Sequence, residues 1–180
     1  MTEGRREQRK RDTRRALEDA ALRRFAEDGY DATSVKAIAA DAGVSARTFF
    51  RYFASKDEVL DMGRDERQAE LRAIVAQAPG TGLAVVRLAV TALAAGFADD
   101  RERVTLRQRA ALTSPVLRGR LFDTFASWEH ALATALGGHA AARTLAAVGL
   151  AVFRTAVGRW VEEDGDLRAL VGEGFDALRS

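Results

Sequence analysis

The sequence predicts an all-α protein, and three observations carry that prediction. Only 2 of its 180 residues are proline and 47% are hydrophobic, with alanine, leucine and arginine dominant, a balance that suits helices. No segment alternates apolar and polar residues with period 2 between turn residues, which a strand would need. Apolar residues recur instead at helical spacing, starting with Leu17, Ala20, Ala21 and Phe25. The length suits one large domain or two small ones, and about nine helices can be traced along it.

The first helix is expected over Thr13 to Asp28. Gly29 sits where a left-handed residue would stop it, with Phe25 and Tyr30 as the apolar pair that closes such a stop. Thr33 or Ser34 can cap a second helix that turns Val35, Ile38, Ala39 and Ala42 inward. Gly43 ends it, and Val44 suits burial between two crossing helices. Ser45 caps a third, in which Phe49 and Phe53, four residues apart, face the core. Ser55 starts a fourth helix, where S-K-D-E puts Glu58 at the third position of a capping box; the pattern then reads as one helix from Lys56 to Gln77. The segment from Ala78 to Gly82 breaks the pattern. Helices follow over Leu83 to Ala98, Arg101 to Leu112, Val116 to Leu136, Ala140 to Glu163 and Leu167 to Leu178, with Asp164, Gly165 and Asp166 turning the chain before the last.

The change in character falls within or just after the fourth helix. Short helices with polar outer faces precede it, and longer, broadly apolar helices follow. This divides the chain into a basic flexible arm (1–12), a helix–turn–helix module (13–60) and a larger helical bundle (61–180).

Charge and composition exclude several classes. The net charge is only +2, too small for a general coater of nucleic acid. Its distribution is uneven: Arg5, Arg6, Arg9, Lys10, Arg11, Arg14 and Arg15 face only Glu7 and Asp12, so the segment reads either as a solvated tail or as an arm along phosphates or a minor groove. The absence of cysteine excludes disulfides, thiolate catalysis and thiolate metal sites. The most apolar segments are interrupted by Arg87, Arg154 and Arg159, which argues against a membrane span, and a cytoplasmic protein is expected. His130 and His139 both lack a glutamate three residues earlier, Asp99-Asp100 reads as a helix cap, and no glycine-rich phosphate loop is present. Neither an enzyme nor a metal or cofactor site is expected.

Two short helices around Gly43 form the unit with which a small domain enters a major groove. On its third helix, Arg47, Thr48, Phe50, Arg51 and Tyr52 need not be buried. Arg47 is the main candidate for reading a base, since its fork matches O6 and N7 of guanine. Ala46 and Phe50 can touch thymine methyls. Arg51 is either a contact or a solvated face residue. Lys56 and Thr33, each at the start of a helix, are expected to meet phosphates. Ser45 lies with this group.

These residues resemble the DNA-binding domain of TetR-family transcriptional regulators. The similarity rests on Ala21 and Phe25; Gly29, Tyr30 and Thr33; Ile38, Ala39, Ala42, Gly43, Val44 and Ser45; Thr48, Phe49, Phe50, Tyr52 and Phe53; and Ser55 and Lys56, in order over the first third of the chain. It implies an all-helical homodimer that binds a palindromic double-stranded DNA operator, dimerises through its last two helices and encloses a small-molecule pocket. It also implies backbone contacts by Thr48, Tyr52 and Lys56. Phe50 departs from the tyrosine common in the family, so no hydroxyl is offered there. The stretch from Arg107, Gln108 and Arg109 through Pro115, Leu117, Arg118 and Trp128 is similar to a TetR subgroup common in actinobacteria for which acyl-type ligands are expected.

The last two helices carry more apolar surface than a hairpin on a monomer would hide. Leu145, Val148, Val152, Phe153, Val157, Trp160 and Val161 surround the first of them, and Ala146, Ala147, Gly149, Ala151 and Gly158 would let helices approach closely. The pocket is expected among the middle helices, lined by Phe97, Leu112, Phe122, Phe125, Trp128 and Phe153, with Arg107 or Arg109 available to an anionic group. These aromatics also fit plain core. The reading is a ligand-responsive repressor released by an apolar molecule, with a ligand-independent DNA-binding protein or an activator as the alternative.

Overall fold

Helix α1 covers Thr2–Glu27 in the computed structural model, which describes residues 2–61, 63–163 and 165–179. The segment expected as a flexible arm is therefore helical, except for Met1, which lies outside the described residues. Arginine, lysine, glutamine and glutamate are good helix formers, and local bonds support the turn: Gln8 donates to Asp12 at 2.8 Å, Arg11 to Gln8 at 2.8 Å, and the Thr13 hydroxyl to the Arg9 carbonyl at 2.8 Å. The helix ends before Gly29, whose φ of 84° is left-handed, and the Phe25 and Tyr30 rings meet at 5.4 Å as the stop requires.

The remaining helices are α2 (Val35–Asp41), α3 (Ala46–Tyr52), α4 (Arg64–Gln77), α5 (Leu83–Ala95), α6 (Arg101–Thr113), α7 (Pro115–Ala135), α8 (Ala140–Glu162) and α9 (Leu167–Ala177). Asp164, expected from the sequence to help turn the chain before the last helix, lies outside the described residues. No strand occurs among the described residues, and the expected all-α class of nine helices holds.

The expected helix from Lys56 to Gln77 is two elements. Lys56–Leu60 is a 3-10 helix, and α4 starts only after Gly63, whose φ is 66°. Hydrophobic spacing continues across the break, and Val59 and Leu60 are both buried in the 3-10 turn. Neither bond of the capping box forms, because the Glu58 carboxylate reaches past the cap residue to the one before it. Glu58 accepts from the Ala54 N–H at 2.6 Å, whereas Ser55 makes no side-chain cap bond.

The chain folds as two compact units. The first takes Met1–Met62 with Thr105–Phe122, and the second takes Gly63–Val104 with Asp123–Ser180. This differs from the single boundary near residue 60 read from the sequence. Ala110 and Leu117 are fully buried in the same core as Leu17, Leu22, Phe25, Ile38, Phe49 and Leu60. Apolar periodicity marks a buried face but does not say which core it joins.

In the first unit α2 packs on α1 and α3, and the 3-10 turn packs on α1. Polar ties join the later segment to it: Arg120 donates to the Asp57 carboxylate, Arg107 lies 3.9 Å from Glu18, and the Thr113 hydroxyl donates to the Phe25 carbonyl at 3.3 Å. Arg107 is thus buried on α1, a correction to its expected place at a ligand, while Arg109 is exposed. Burial opposes ionisation of Asp57, but the hydrogen bond and positive charge of Arg120 outweigh it and hold the carboxyl below its ordinary range.

In the second unit α5 is central, packing on α4, α8 and α9, and α8 packs on α9. Gly149 on α8 permits this closeness, since a Cβ there would run into Val86 of α5. Helix α8 is long and apolar enough to cross a membrane by length and composition, yet one of its faces is buried within this unit.

Candidate nucleic-acid interface

The turn between α2 and α3 is built from backbone bonds. The Gly43 N–H donates to Ala40 at 3.0 Å and the Val44 N–H to Ala39 at 2.9 Å, with Gly43 at a φ of 68°. Ser45 then caps α3: its hydroxyl oxygen accepts from the Thr48 N–H at 3.1 Å and meets the Thr48 hydroxyl at 3.1 Å. Ser34 caps α2 in the same way, accepting from the Ala37 N–H at 3.1 Å. Arg24 of α1 grips Asp41 at the end of α2, at 2.5 and 3.0 Å, which lowers the Asp41 pKa through that hydrogen bond.

Helix α3 is sharply two-sided. Phe49 and Phe53 are buried, with ring centroids 5.3 Å apart. Arg47, Phe50 and Arg51 face outward, Phe50 with 57% of its surface exposed, and Ala46, Thr48 and Tyr52 are half-buried. An exposed ring beside an exposed guanidinium on a short helix has no folding rationale; it offers apolar and hydrogen-bonding contacts to a partner.

Next to this face lies an open groove of about 520 Å³, lined by Arg6, Glu7, Arg9, Lys10 and Thr13 of α1 and by Arg51 and Tyr52 of α3. Four cations face one carboxylate, and the Arg51 guanidinium sits over the Tyr52 ring at 5.3 Å. The sequence alone leaves Arg51 open to either role and sets it far from the basic N-terminal segment; the helical continuation of α1 brings the two together.

Two expected phosphate contacts are placed otherwise. Thr33 is buried, and its hydroxyl donates to the Gly29 carbonyl at 2.7 Å, so it stabilises the turn after α1. The Lys56 ammonium donates to the carbonyls of Tyr30 at 2.6 Å and Thr33 at 2.9 Å and lies 4.0 Å from the Tyr30 ring centroid. It pins the loop between α1 and α2, and one of its three N–H groups is left for another acceptor. Burial raises the Tyr30 pKa, helped by the Asp57 carboxylate that accepts from its hydroxyl at 3.3 Å.

The six candidate ligand residues do not form one group. Phe97, Phe125, Trp128 and Phe153 are buried together in the second unit, with ring centroids 5.6 to 6.3 Å apart in five pairs. Leu112 and Phe122 belong to the first unit and are 79% and 57% exposed. They lie on faces of α6 and α7 opposite the buried Ala110 and Leu117, which helical spacing alone had not separated from the rest.

Residues 17–61 match the family of bacterial regulatory proteins called tetR, and residues 81–180 match the MftR C-terminal domain. The chain is 26% identical over 172 residues to a Mycobacterium tuberculosis protein, MftR, named for a proposed role as regulator of mycofactocin biosynthesis; the match spans 90% of this chain and 87% of that protein. The fold is shared with the fatty acid degradation regulator FadR from Bacillus halodurans, at a TM-score of 0.66 and 22% identity over 92% of this chain and 94% of the other. It is shared also with Thermus thermophilus FadR, a TetR-family repressor solved with lauroyl-CoA, at a TM-score of 0.57 and 22% identity over 92% and 93%. A capped helix–turn–helix with a basic and aromatic outer face, followed by a second matched domain, makes this chain a member of the TetR family of transcriptional regulators, with a C-terminal domain of the MftR type and no enzymatic role.

Proposed function

We propose that the chain is a ligand-responsive repressor in the cytoplasm, binding a palindromic operator as a homodimer and released by an acyl-type molecule. The observation that carries the DNA-binding mode is the two-sided α3, with Arg47 and Phe50 outward and Phe49 and Phe53 locked inward. Arg47 reads a guanine, Ala46 and Phe50 contact thymine methyls, and Thr48, Ser45 and Tyr52 hold the backbone. Lys56 contributes its remaining N–H to a phosphate while serving mainly as a staple. The basic groove beside α3 accepts further phosphates.

Support for the dimer comes from α8. Phe153, Val157 and Trp160 are buried within the chain, whereas Ala147, Val148, Ala151, Val152, Thr155 and Gly158 remain partly or fully exposed. This small-residue face fits a second copy, giving the two-fold symmetry that a palindrome matches. Support for an acyl effector comes from the lauroyl-CoA bound by the Thermus thermophilus relative. The tight packing of the buried aromatic cluster favours the second reading, a ligand-independent DNA-binding protein.

Selection of bound DNA from a random pool tests the function. Expected is a palindrome with half-sites about one helical turn, roughly 34–36 Å, apart. Random recovered sequences would overturn the reading, and sedimentation as a monomer at micromolar concentration would remove the dimer. Acyl thioesters that neither stabilise the protein nor release DNA would favour the ligand-independent alternative.

A further inference from the structure

Trp128 is fully buried on α7, yet its indole N–H has no hydrogen-bond acceptor. The other tryptophan, Trp160, is almost as buried but donates to the Gly165 carbonyl at 3.1 Å. A buried donor without an acceptor is costly and unusual, and it calls for a specific reason. The groups closest in character are rings: Phe125 at 5.6 Å, Phe97 at 6.1 Å and Phe153 at 6.3 Å from the indole, centroid to centroid. Their faces are weak acceptors at best.

We propose that this aromatic cluster is the closed form of the effector site, and that the Trp128 Nε1–H donates to the carbonyl oxygen of an acyl ligand whose chain lies among the rings. The inference rests on the effector reading above and gives it a residue and an atom. The chemistry follows from the donor: a hydrocarbon satisfies the rings but leaves the indole unpaired, whereas a carbonyl next to an alkyl chain satisfies both. Phe97 is the ring placed to yield. It stands on the turn after α5, not on a helix, while Phe125, Trp128 and Phe153 are on α7 and α8. Arg67 holds that turn, stacking over the Phe97 ring at 4.7 Å and donating to the Gly96 carbonyl at 2.8 Å. Gly96 leaves the guanidinium its room, since a Cβ there would collide with it.

The test compares lauroyl-CoA with S-dodecyl-CoA, in which a methylene replaces the carbonyl, by calorimetry on the full chain; lauric acid is a third arm that separates a free acid from a thioester as the source of the carbonyl. The wild type is expected to prefer lauroyl-CoA by about tenfold, the scale of one buried hydrogen bond. Trp128→Phe, which keeps the apolar bulk, is expected to lose that preference. Equal binding by the wild type, or a preference that survives in the variant, overturns the assignment and leaves the acyl-effector reading standing. If the wild type binds its operator but none of the three probes, both effector inferences fall and the DNA-binding reading stands. Should the variant not fold, the indole N–H resonance of Trp128 in the wild type, identified with Trp160→Phe, decides. It is expected to move with lauroyl-CoA and not with the thioether; an unmoved resonance on saturation with lauroyl-CoA overturns the proposal.

Discussion

Replacing Lys56 by methionine separates two roles that a DNA-binding assay alone would merge. The ammonium makes hydrogen bonds of 2.6 and 2.9 Å to the Tyr30 and Thr33 carbonyls and a cation–π contact at 4.0 Å. Bonds from a charged donor are worth about 1.5–3 kcal/mol when buried; Lys56 is only half-buried, so about 1 kcal/mol each is the fair figure. The ring contact adds ~0.5–1 kcal/mol. Methionine keeps the apolar stem and loses all three, for a total of about 2–3 kcal/mol. The first unit has about 80 residues, so its melting point should fall by roughly 10–20 °C. Hydrogen exchange should localise the loss to the amides of α2 and α3. DNA binding should weaken for all sequences alike, chiefly because the helix–turn–helix is less populated. If melting and exchange match the wild type while the salt slope of DNA binding drops by about one phosphate, the lysine is a backbone ligand and the staple argument is wrong.

Arg47→Ala should relax base preference at one operator position by about 1–3 kcal/mol, read by repeating the selection; an unchanged consensus removes it as the reader. Changing Arg6, Arg9 and Lys10 together to alanine should flatten the slope of log K against log salt by up to ~3 and leave the consensus intact; an unaltered slope would empty the groove of its role. Asp57 is held below its unfolded pKa of about 3.9 by Arg120 against the cost of burial, so its contribution is present above that pH and is lost as pH falls through the folded value. Acid melts of the wild type should therefore show a loss of stability below about pH 4 that is smaller in Asp57→Asn; identical acid profiles would contradict this.

The sequence made local features readable because their causes are local. Gly43, the caps at Ser34 and Ser45, and the inward pair Phe49 and Phe53 each depend on neighbours within four residues. What it hid depends on distance along the chain. Thr33 and Lys56 looked free for phosphate because nothing nearby claims them; Lys56 finds its acceptors 23 and 26 residues earlier. Helical spacing grouped Leu112 and Phe122 with Trp128, since a pattern gives a face and not its neighbour. The break at Gly63 was masked because the apolar rhythm runs through it.

Two glycines of α8 that look equivalent in the sequence have opposite surroundings. Gly149 is filled by its own chain, with Val86 where a side chain would go, while Gly158 has no atom within 4 Å of a Cβ built there. In an isolated subunit, alanine at Gly158 should be free or even stabilise the helix by up to ~1 kcal/mol, and alanine at Gly149 should not. Gly158 is therefore a position at which one methyl group counts bodies: it registers nothing until another backbone arrives, and its penalty would rise with protein concentration.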